Sequence, residues 1–238
     1  MRRGSFMALP RLVFPEFIDQ LPAGDPGAIQ IRKDLDFINC VIPNSRIVAN
    51  ALAERFPSPP RVIMDIGCGN GAFMLKVAQR LAPRWRDVTV LLVDQQALIS
   101  QEKRDAFAKI GWRAEVIAAD ILDYLREPRD AKPDAIVSNL FLHHFPQREL
   151  AALLERIAHT TPFLVACEPR RAKLSLRIGQ MAWVAGLGDL TCHDIASSIW
   201  AGFKGRELSA VWPQDGEWQT REYDSWPFVH CFVASRPV

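Results

Sequence analysis

The sequence predicts an α/β protein built on a doubly wound, mostly parallel sheet. A glycine-rich turn joins a short apolar run to a helical stretch within residues 61–81. From there to residue 166, further short apolar runs alternate with helical stretches. Continuous apolar runs are typical of parallel strands that are buried on both faces. Alternation of such strands with helices indicates parallel crossover connections.

The 238 residues suffice for one domain with a full core, since 49% are hydrophobic and 24% are charged. The formal net charge of +2 argues against a dedicated nucleic-acid surface. The five cysteines include no CxxC pair, so we expect neither a disulfide framework nor a metal site. Scattered cysteines favour a reducing, cytoplasmic location.

The first residues resemble the charged start of a signal peptide, Met1-Arg-Arg-Gly4. The apolar run that follows is interrupted by Pro10, Arg11 and Pro15, so we expect no export. No apolar run approaches the roughly 18 residues that a membrane span needs.

Residues 1–58 are expected to form an N-terminal helical extension, and residues 59–238 the α/β domain. The cluster Pro57-Ser-Pro-Pro60 marks the boundary. One short helix is predicted within Pro15–Leu21. A second begins at Asp25, a favourable N-cap before Pro26, and a third ends before Pro57. The extension could be a lid that excludes water from a site or a dimer surface, so monomer and homodimer both stay open.

In the α/β domain, five apolar runs are predicted as buried parallel strands: Val62–Ile66, Val88–Val93, Ala114–Ala119, Ala135–Val137 and Phe163–Ala166. The predicted helices between them cover residues 72–81, 96–110, 121–126 and 147–159.

After Pro169 the alternation of strands and helices stops. A helix is predicted over Ala172–Ala185, and a second begins at His193 with Asp194 as its N-cap. Two β-rich runs, Leu208–Trp212 and Phe228–Ala234, are expected to form an antiparallel hairpin at the sheet edge.

The glycine turn admits two cofactors. Gly67-x-Gly69-x-x-Ala72 satisfies a loose dinucleotide fingerprint, with Asp94 at a suitable distance to bind a ribose. The same turn satisfies the pattern acid-x-Gly-x-Gly-x-Gly of an S-adenosylmethionine site, through Asp65, Gly67, Gly69 and Gly71.

Polar residues at successive strand ends favour the second cofactor. Asp94 ends the second strand, where a carboxylate can accept both ribose hydroxyls. Asp120 ends the third, where it can accept from an adenine amino group or cap the next helix. Asn139 lies in a polar turn after the fourth. Because the carboxyl ends of parallel strands line one crevice, these groups should converge on a single ligand.

With these motifs, residues 61–170 resemble the class I S-adenosylmethionine-dependent methyltransferases. The resemblance implies a Rossmann-like seven-stranded sheet in the order 3-2-1-4-5-7-6 with an antiparallel last strand. It also implies a set of cofactor-binding residues: Asp65, Gly67, Cys68, Gly69, Gly71, Asp94, Gln95, Asp120, Ile121, Asn139 and Leu140.

The whole chain is also similar to a bacterial subgroup often encoded beside type III polyketide synthases. The segments Pro15-Glu-Phe-Ile-Asp19, Arg32–Asn39, His193–Phe203 and Arg206–Ser209 carry this resemblance. It implies methyl transfer to a small phenolic or quinoid acceptor, with O-methylation expected. C-methylation of a quinoid or isoprenoid acceptor and an NAD(P)-dependent oxidoreductase are the alternatives.

Three histidines are candidate catalytic residues, because an oxygen acceptor must lose a proton and histidine is a common general base near neutral pH. His143 and His144 follow the fourth strand at the mouth of the crevice, where we expect one to face the substrate. His193 is predicted at a helix entrance beside the pocket. His159 and His230 are expected to be structural.

Overall fold

The computed structural model describes residues 9–22, 24–127, 132–179, 186–214, 216–225 and 227–237. Their seven strands form one sheet in the order β3-β2-β1-β4-β5-β7-β6, which confirms the expected topology. Strand β7 runs antiparallel to both of its neighbours, and the remaining pairs are parallel. The strands are β1 Val62–Ile66, β2 Val88–Asp94, β3 Trp112–Ala118, β4 Ala135–Asn139, β5 Phe163–Pro169, β6 Gln219–Ser225 and β7 Val229–Ser235.

Helices cover both faces of the sheet. They are α1 Phe17–Gln20, α2 Pro26–Val41, α3 Asn44–Arg55, α4 Ala72–Leu81, α5 Gln101–Lys109, α6 Ile121–Tyr124, α7 Gln147–Thr160, α8 Lys173–Gly179, α9 Asp189–Ala201 and α10 Glu207–Val211. Buried side chains of α3, α4 and α5 pack on one face. Those of α6, α7 and α10 pack on the other. Burying both faces explains why the central strands are almost entirely apolar.

Helix α2 begins at its predicted residue. The Asp25 side chain accepts hydrogen bonds from the backbone N–H groups of Gly27 at 2.7 Å and Ala28 at 3.3 Å, and Pro26 opens α2. These contacts satisfy donors that a helix start leaves free. Helix α5 begins later than predicted, at Gln101, because Ser100 caps it.

The prediction that Asp194 caps its own helix is wrong. Helix α9 begins at Asp189 after Gly188, so Asp194 lies one turn inside it. Its carboxylate accepts the backbone N–H groups of Phe17 at 2.8 Å and Ile18 at 3.0 Å. Asp194 therefore caps α1, a helix that is distant in the sequence.

The prediction of a strand over Leu208–Trp212 is also wrong. This segment contains α10, and β7 pairs instead with the polar β6. Leu208 and Trp212 are spaced four residues apart and are both buried, which suits one helix face. The carboxylate of Glu222 accepts the backbone N–H groups of Leu208 and Ser209 at the helix start. A contact from β6 thus overrides the local β-propensity.

The helix predicted over Ala172–Ala185 is present as α8, Lys173–Gly179, and residues 180–185 lie outside the described part of the chain. Among the described helices, none combines the length and apolar character that crossing a bilayer requires.

His230 links β7 to β6 through two carboxylates. Its Nε2 lies 2.8 Å from Glu222 and its Nδ1 lies 2.7 Å from Asp224, which also pairs with Arg170. Burial alone would lower the pKa of His230, but hydrogen bonds and ion pairing with the two carboxylates outweigh it and raise that pKa. Burial would raise the pKa of Glu222, but His230 and Ser209 lower it.

The stabilisation by this cluster should therefore depend on pH. The part due to the raised His230 pKa is complete below about pH 6.5 and is lost as the pH rises through the folded value. The part due to Glu222 is complete above about pH 4.5 and is lost as the pH falls. Between these limits, His230→Phe should lower the free energy of unfolding by about 3 kcal/mol.

Urea unfolding across pH 4–9 measures the free energies of unfolding of wild type and variant. The difference between the two should become smaller on both sides of that pH window. The matched control is His159→Ala, which removes an exposed histidine. A difference that stayed constant with pH would contradict ionisation of the cluster.

Candidate active site

A cavity of about 920 Å³ opens at the carboxyl ends of the parallel strands. Of the eleven predicted cofactor residues, ten line this cavity, and Gly71 does not. His143 and His144 also line it, but His193 does not. Residues of α2 and of the segment before α1 complete the wall.

The glycine turn has the backbone geometry that close approach of a ligand requires. Gly67, Gly69 and Gly71 all have positive φ, at 66°, 53° and 74°. A Cβ atom at Gly69 would meet no other atom within 4 Å, so this position is open to the cavity. A Cβ atom at Gly67 would lie 2.2 Å from the ring of Phe141. Gly71 precedes the first residue of α4, and its role is the turn itself.

Asp65 is a buried acid with an unsatisfied oxygen. Only 1% of the residue is exposed, and its Oδ2 has no hydrogen-bond partner among the described residues. Burial, followed by repulsion from Asp94, raises the pKa of Asp65 well above its usual range. A carboxylate in this state lacks a counter-charge, and the cavity is the place from which a ligand can supply one.

Asp94 and Asp120 each bind the backbone and also face the cavity. Asp94 accepts the N–H of Gly69 at 2.8 Å and that of Gln96 at 2.9 Å, which ties β2 to the glycine turn. Asp120 caps α6, as one of the two sequence interpretations predicts. It also accepts from the Gln95 side chain at 2.8 Å. Each carboxylate oxygen has more than one lone pair, so these bonds leave capacity for a ligand.

Asn139 and Leu140 end β4 under the N-terminal extension. The Asn44 side chain donates to Asn139 Oδ1 at 2.7 Å, and the Asn139 side chain donates to Asn39 at 3.4 Å. Leu140 has a φ of 54°, which strains a residue with a branched side chain. Its N–H bonds the carbonyl of Cys167 at 2.8 Å, which holds this turn beside β5.

The extension also contacts the glycine turn directly. The Asn70 side chain donates to Asp36 of α2 at 2.9 Å. Cavity-lining residues of α2 include Leu35, Phe37 and Ile38. Residues 1–58 therefore supply part of the cavity wall through α2.

A fully buried carboxylate, Glu168, organises the turn after β4. Its Oε1 accepts from Ser138 Oγ at 3.3 Å and from the N–H groups of Phe141 and Leu142 at 3.2 and 2.9 Å. Its Oε2 accepts the His143 N–H at 3.3 Å and lies 2.8 Å from His143 Nδ1. Burial would raise the pKa of Glu168, but hydrogen bonding and ion pairing with His143 outweigh it and lower that pKa.

A second carboxylate meets the same histidine from the other side. Glu16 Oε1 lies 3.4 Å from His143 Nε2, and Ser198 Oγ donates to that oxygen at 2.6 Å. Burial would lower the pKa of His143, but Glu16 and Glu168 together outweigh it and raise the pKa to about 9.

His144 is more open to the cavity. Its side chain is 23% exposed, its Nδ1 lies 2.8 Å from Asp19 Oδ2, and its Nε2 lies 3.9 Å from Glu16 Oε2. The sequence expectation that only one of the two histidines faces the pocket does not hold, since both line it. Both belong to the 3₁₀ turn Leu142–His144, and their ring centroids lie 4.3 Å apart with the planes tilted by 57°.

His193 lies outside this group. Its ring is half exposed and packs against Phe17 in a tilted arrangement with the ring centroids 4.8 Å apart, and its Nδ1 lies 3.3 Å from Asp194. The sequence analysis missed Glu16, Asp19 and Glu168. The position of Glu168 at the end of β5 could have indicated it, because that end faces the crevice. No local pattern indicates Glu16, which reaches the cavity through long-range packing.

We expect Asp65→Asn to stabilise the free protein. The pKa of Asp65 is raised in the folded state, so its ionisation destabilises the fold as the pH rises above about 3.9. A neutral amide removes the cost of burying that charge. At pH 8 we therefore expect the free energy of unfolding to rise by about 1 kcal/mol or more.

Asp134→Asn is the matched control, since it lies at the opposite end of the sheet. Its Oδ2 accepts the N–H groups of Arg61 and Val62 at 2.7 and 2.9 Å. Weakening these charge-assisted bonds should destabilise the protein by about 1 kcal/mol. Urea unfolding at pH 8 measures both variants, and a loss of stability in Asp65→Asn would contradict an unpaired buried charge.

Comparison with known proteins agrees with this architecture. A family model described as a methyltransferase domain matches residues 63–161. An uncharacterized methyltransferase of Mycobacterium tuberculosis is 33% identical over 110 residues, which cover 45% of this chain and 50% of that protein. A carboxy-S-adenosyl-L-methionine synthase of Shewanella is 27% identical over 130 residues, covering 52% of this chain and 51% of the synthase. The chain thus spans about half the length of these curated relatives.

Solved structures share the fold over most of the chain. The plantazolicin methyltransferase BpumL, solved with SAH, has a TM-score of 0.63 at 15% identity and covers 90% of this chain and 92% of its own. Magnesium protoporphyrin IX methyltransferase from Synechocystis, also solved with SAH, has a TM-score of 0.52 at 16% identity, with 82% of each chain covered. Such identities establish the fold alone. Residues 63–161 are thus similar to a methyltransferase domain, and the chain around them has the fold of these methyltransferase structures.

Proposed function

We propose that the protein transfers a methyl group from S-adenosylmethionine to an oxygen of a small phenolic or polyketide-like acceptor. The observation that carries this proposal is a single cavity lined both by the glycine turn and by the two histidines. Its volume, about 920 Å³, is near the upper end of the range for ligand sites. It therefore has room for a cofactor and an acceptor together.

The charges around the glycine turn favour a cationic cofactor. Asp36, Asp65 and Asp94 all line this side of the cavity. S-adenosylmethionine carries an ammonium and a sulfonium, which these carboxylates attract. The pyrophosphate of a dinucleotide would be repelled by the same groups. We therefore favour the sulfonium cofactor over NAD(P), the alternative left open by the glycine spacing.

The cofactor roles follow from the groups that line the turn. Gly69 leaves space for the cofactor close to the main chain, and Asp65 offers an unpaired oxygen to the ammonium group of the cofactor. Asp94 accepts the ribose hydroxyls, and Asp120 with Ile121 borders the adenine. Cys68, Gln95, Asn139 and Leu140 complete the contact surface, while Gly67 and Gly71 shape the turn.

The acceptor side must remove a proton as the methyl group moves. In the transfer, a bond forms between the acceptor oxygen and the methyl carbon, and the carbon–sulfur bond breaks with its electron pair going to sulfur. Glu16, His143 and His144 are the group in the cavity that can take up the acceptor proton. His144 is the more open of the two histidines.

The rest of the acceptor side is mostly apolar, which suits a flat, weakly polar acceptor. Ile18, Phe141, Phe145, Ile178 and Ile195 line it. The segment Pro15-Glu-Phe-Ile-Asp19, which resembles the subgroup found beside type III polyketide synthases, contributes Glu16 and Asp19 here. A quinoid carbon acceptor would need the same loss of a proton and is the second candidate.

The N-terminal extension acts as a lid in this proposal. Helix α2 covers the glycine turn through Asp36, and the segment before α1 inserts Glu16. Closing such a lid would exclude water from the sulfonium.

Calorimetric titration tests the cofactor. S-adenosylmethionine should bind wild type, while NADH and NADPH should not. Asp65→Asn and Asp94→Asn should each weaken binding at least about tenfold, because each removes a charge-assisted contact of roughly 1.5–3 kcal/mol. Asp134→Asn should bind like wild type. No binding signal with S-adenosylmethionine, together with clear binding of a nicotinamide cofactor, would contradict the proposal.

Transfer of a labelled methyl group to a panel of phenols and quinols tests the acceptor side. His144→Ala and Glu16→Gln should lower the turnover rate by about 10²-fold or more with an unchanged Kd for S-adenosylmethionine. His159→Ala, an exposed histidine outside the cavity, should keep the wild-type rate. A labelled methyl group found on carbon would indicate C-methylation of a quinoid acceptor, the second candidate. Unchanged rates in both site variants would show that His144 and Glu16 do not take part in catalysis.

His193→Ala tests the remaining histidine predicted from the sequence. Because His193 does not line the cavity, its loss should lower the rate by less than about tenfold, through its contact with Phe17 alone. A loss as large as that of His144→Ala would show that His193 reaches the acceptor.

A further inference from the structure

Three side chains in the cavity converge on one point. One potential ligand atom each from Glu16, His143 and His144 lies within 4.8 Å of the other two. Two ligands about 2.1 Å from a common ion lie roughly 3–3.5 Å apart at octahedral to tetrahedral angles. His143 Nε2 lies 3.4 Å from Glu16 Oε1, and His144 Nε2 lies 3.9 Å from Glu16 Oε2, so the two oxygens of this carboxylate each lie near one histidine at about this spacing.

The other ring nitrogen of each histidine contacts a second carboxylate. His143 Nδ1 lies 2.8 Å from Glu168, and His144 Nδ1 lies 2.8 Å from Asp19. Histidines that bind metals almost always donate their second ring N–H to a carboxylate or carbonyl, which fixes the tautomer. Both histidines therefore have the outer contacts of metal ligands, with their Nε2 atoms aimed at Glu16.

The tautomer of His143 follows from Glu168. That carboxylate accepts the N–H groups of Phe141, Leu142 and His143, so it is an acceptor and the proton lies on His143 Nδ1. His143 is 1% exposed, and its Nε2 has no hydrogen-bond partner among the described residues. Nε2 is therefore the nitrogen that a metal ion would bind, with displacement of the proton that it carries when the ring is charged.

The charge balance also favours a cation. Three carboxylates, Glu16, Asp19 and Glu168, surround the two imidazoles. The guanidinium of Arg11 lies nearby, but it donates to the backbone carbonyls of His143, Phe145 and Ala201 instead. Asp19 is exposed, but Glu16 and Glu168 are buried on either side of His143, and a divalent cation would balance these two charges.

We propose that Glu16, His143 and His144 bind one divalent transition-metal ion in the cavity. Two imidazoles and one carboxylate suit zinc, iron(II) or manganese better than magnesium, which prefers oxygen ligands. Three protein ligands leave at least one coordination position for another molecule. That position opens to the cavity that the three residues line.

In the proposed function the acceptor would occupy that open position. This role of the metal ion therefore rests on the proposed function. Coordination lowers the pKa of a bound hydroxyl. The acceptor proton would pass to the carboxylate of Asp19, which lines the cavity and is 56% exposed, and from there to water. The resulting metal-bound oxygen would form its bond to the methyl carbon as the carbon–sulfur bond breaks. Acceptors with two adjacent oxygens, such as catechols or enolised diketones, would bind best because they chelate.

Metal binding can be measured without cofactor or acceptor. The full chain, stripped with a chelator, is titrated with Zn²⁺ against a chromophoric competitor, and Co²⁺ is added to record its visible absorption. Wild type should take up one ion per chain. Glu16→Gln and His144→Gln should each weaken binding at least 100-fold, and Asp19→Asn by about 10–100-fold as an outer contact. His159→Ala should match wild type, and circular dichroism verifies that each variant is folded.

No stoichiometric uptake by wild type would overturn the proposal, and so would equal uptake by every variant, which would indicate adventitious surface binding only. Loss of methyl transfer on chelation, with S-adenosylmethionine still bound, would support the role in acceptor activation. Undiminished transfer after chelation would overturn that role. Specific uptake of Zn²⁺ supports the site even where no acceptor is methylated, so failure of the proposed function is distinguishable.

Discussion

The buried carboxylate of Glu168 is the constraint on which the acceptor side of the cavity depends. A charge that has no exposure must be compensated by hydrogen bonds on nearly all sides. Here the compensation comes from Ser138, three consecutive backbone N–H groups and the ring of His143. Meeting these demands fixes both the 3₁₀ turn after β4 and the orientation of His143. The turn is therefore held by electrostatics, since it lies outside the ladder hydrogen bonds of the sheet.

The same constraint explains why the N-terminal segment is part of the site. Fixing His143 Nδ1 on Glu168 directs Nε2 toward the space that Glu16 enters. Glu16 is held there by Ser198, and α1 immediately after it is capped by Asp194. Arg11 anchors the preceding segment on carbonyls of the turn. The site is thus complete only when a distant segment docks, which couples its assembly to folding of the whole chain.

The sequence predicted the glycine-turn side of the cavity far better than the side that holds the two histidines. Strand β1 and helix α4 occur at their predicted residues, because a short apolar run, a glycine turn and a helical stretch are all local patterns. The seven-stranded order followed from the family resemblance and is confirmed. The predictions for Asp194 and for the segment at α10 were wrong because a distant residue takes part in the decisive hydrogen bonds in each case. Glu16 was missed for the same reason, since no spacing along the chain relates it to His143.

The acidity and the apolar walls of the cavity act together on the proposed chemistry. A sulfonium and a deprotonated acceptor are both charged, whereas the thioether and the methyl ether that they form are neutral. Removing water strengthens the attraction between the two reactants. It also favours the transition state, in which their charges are being neutralised, if the charged reactants lose more hydration than the transition state does. The carboxylates at the glycine turn attract the charged cofactor and lose that attraction at sulfur once the methyl group has left. Binding and release would then be governed by the same charges.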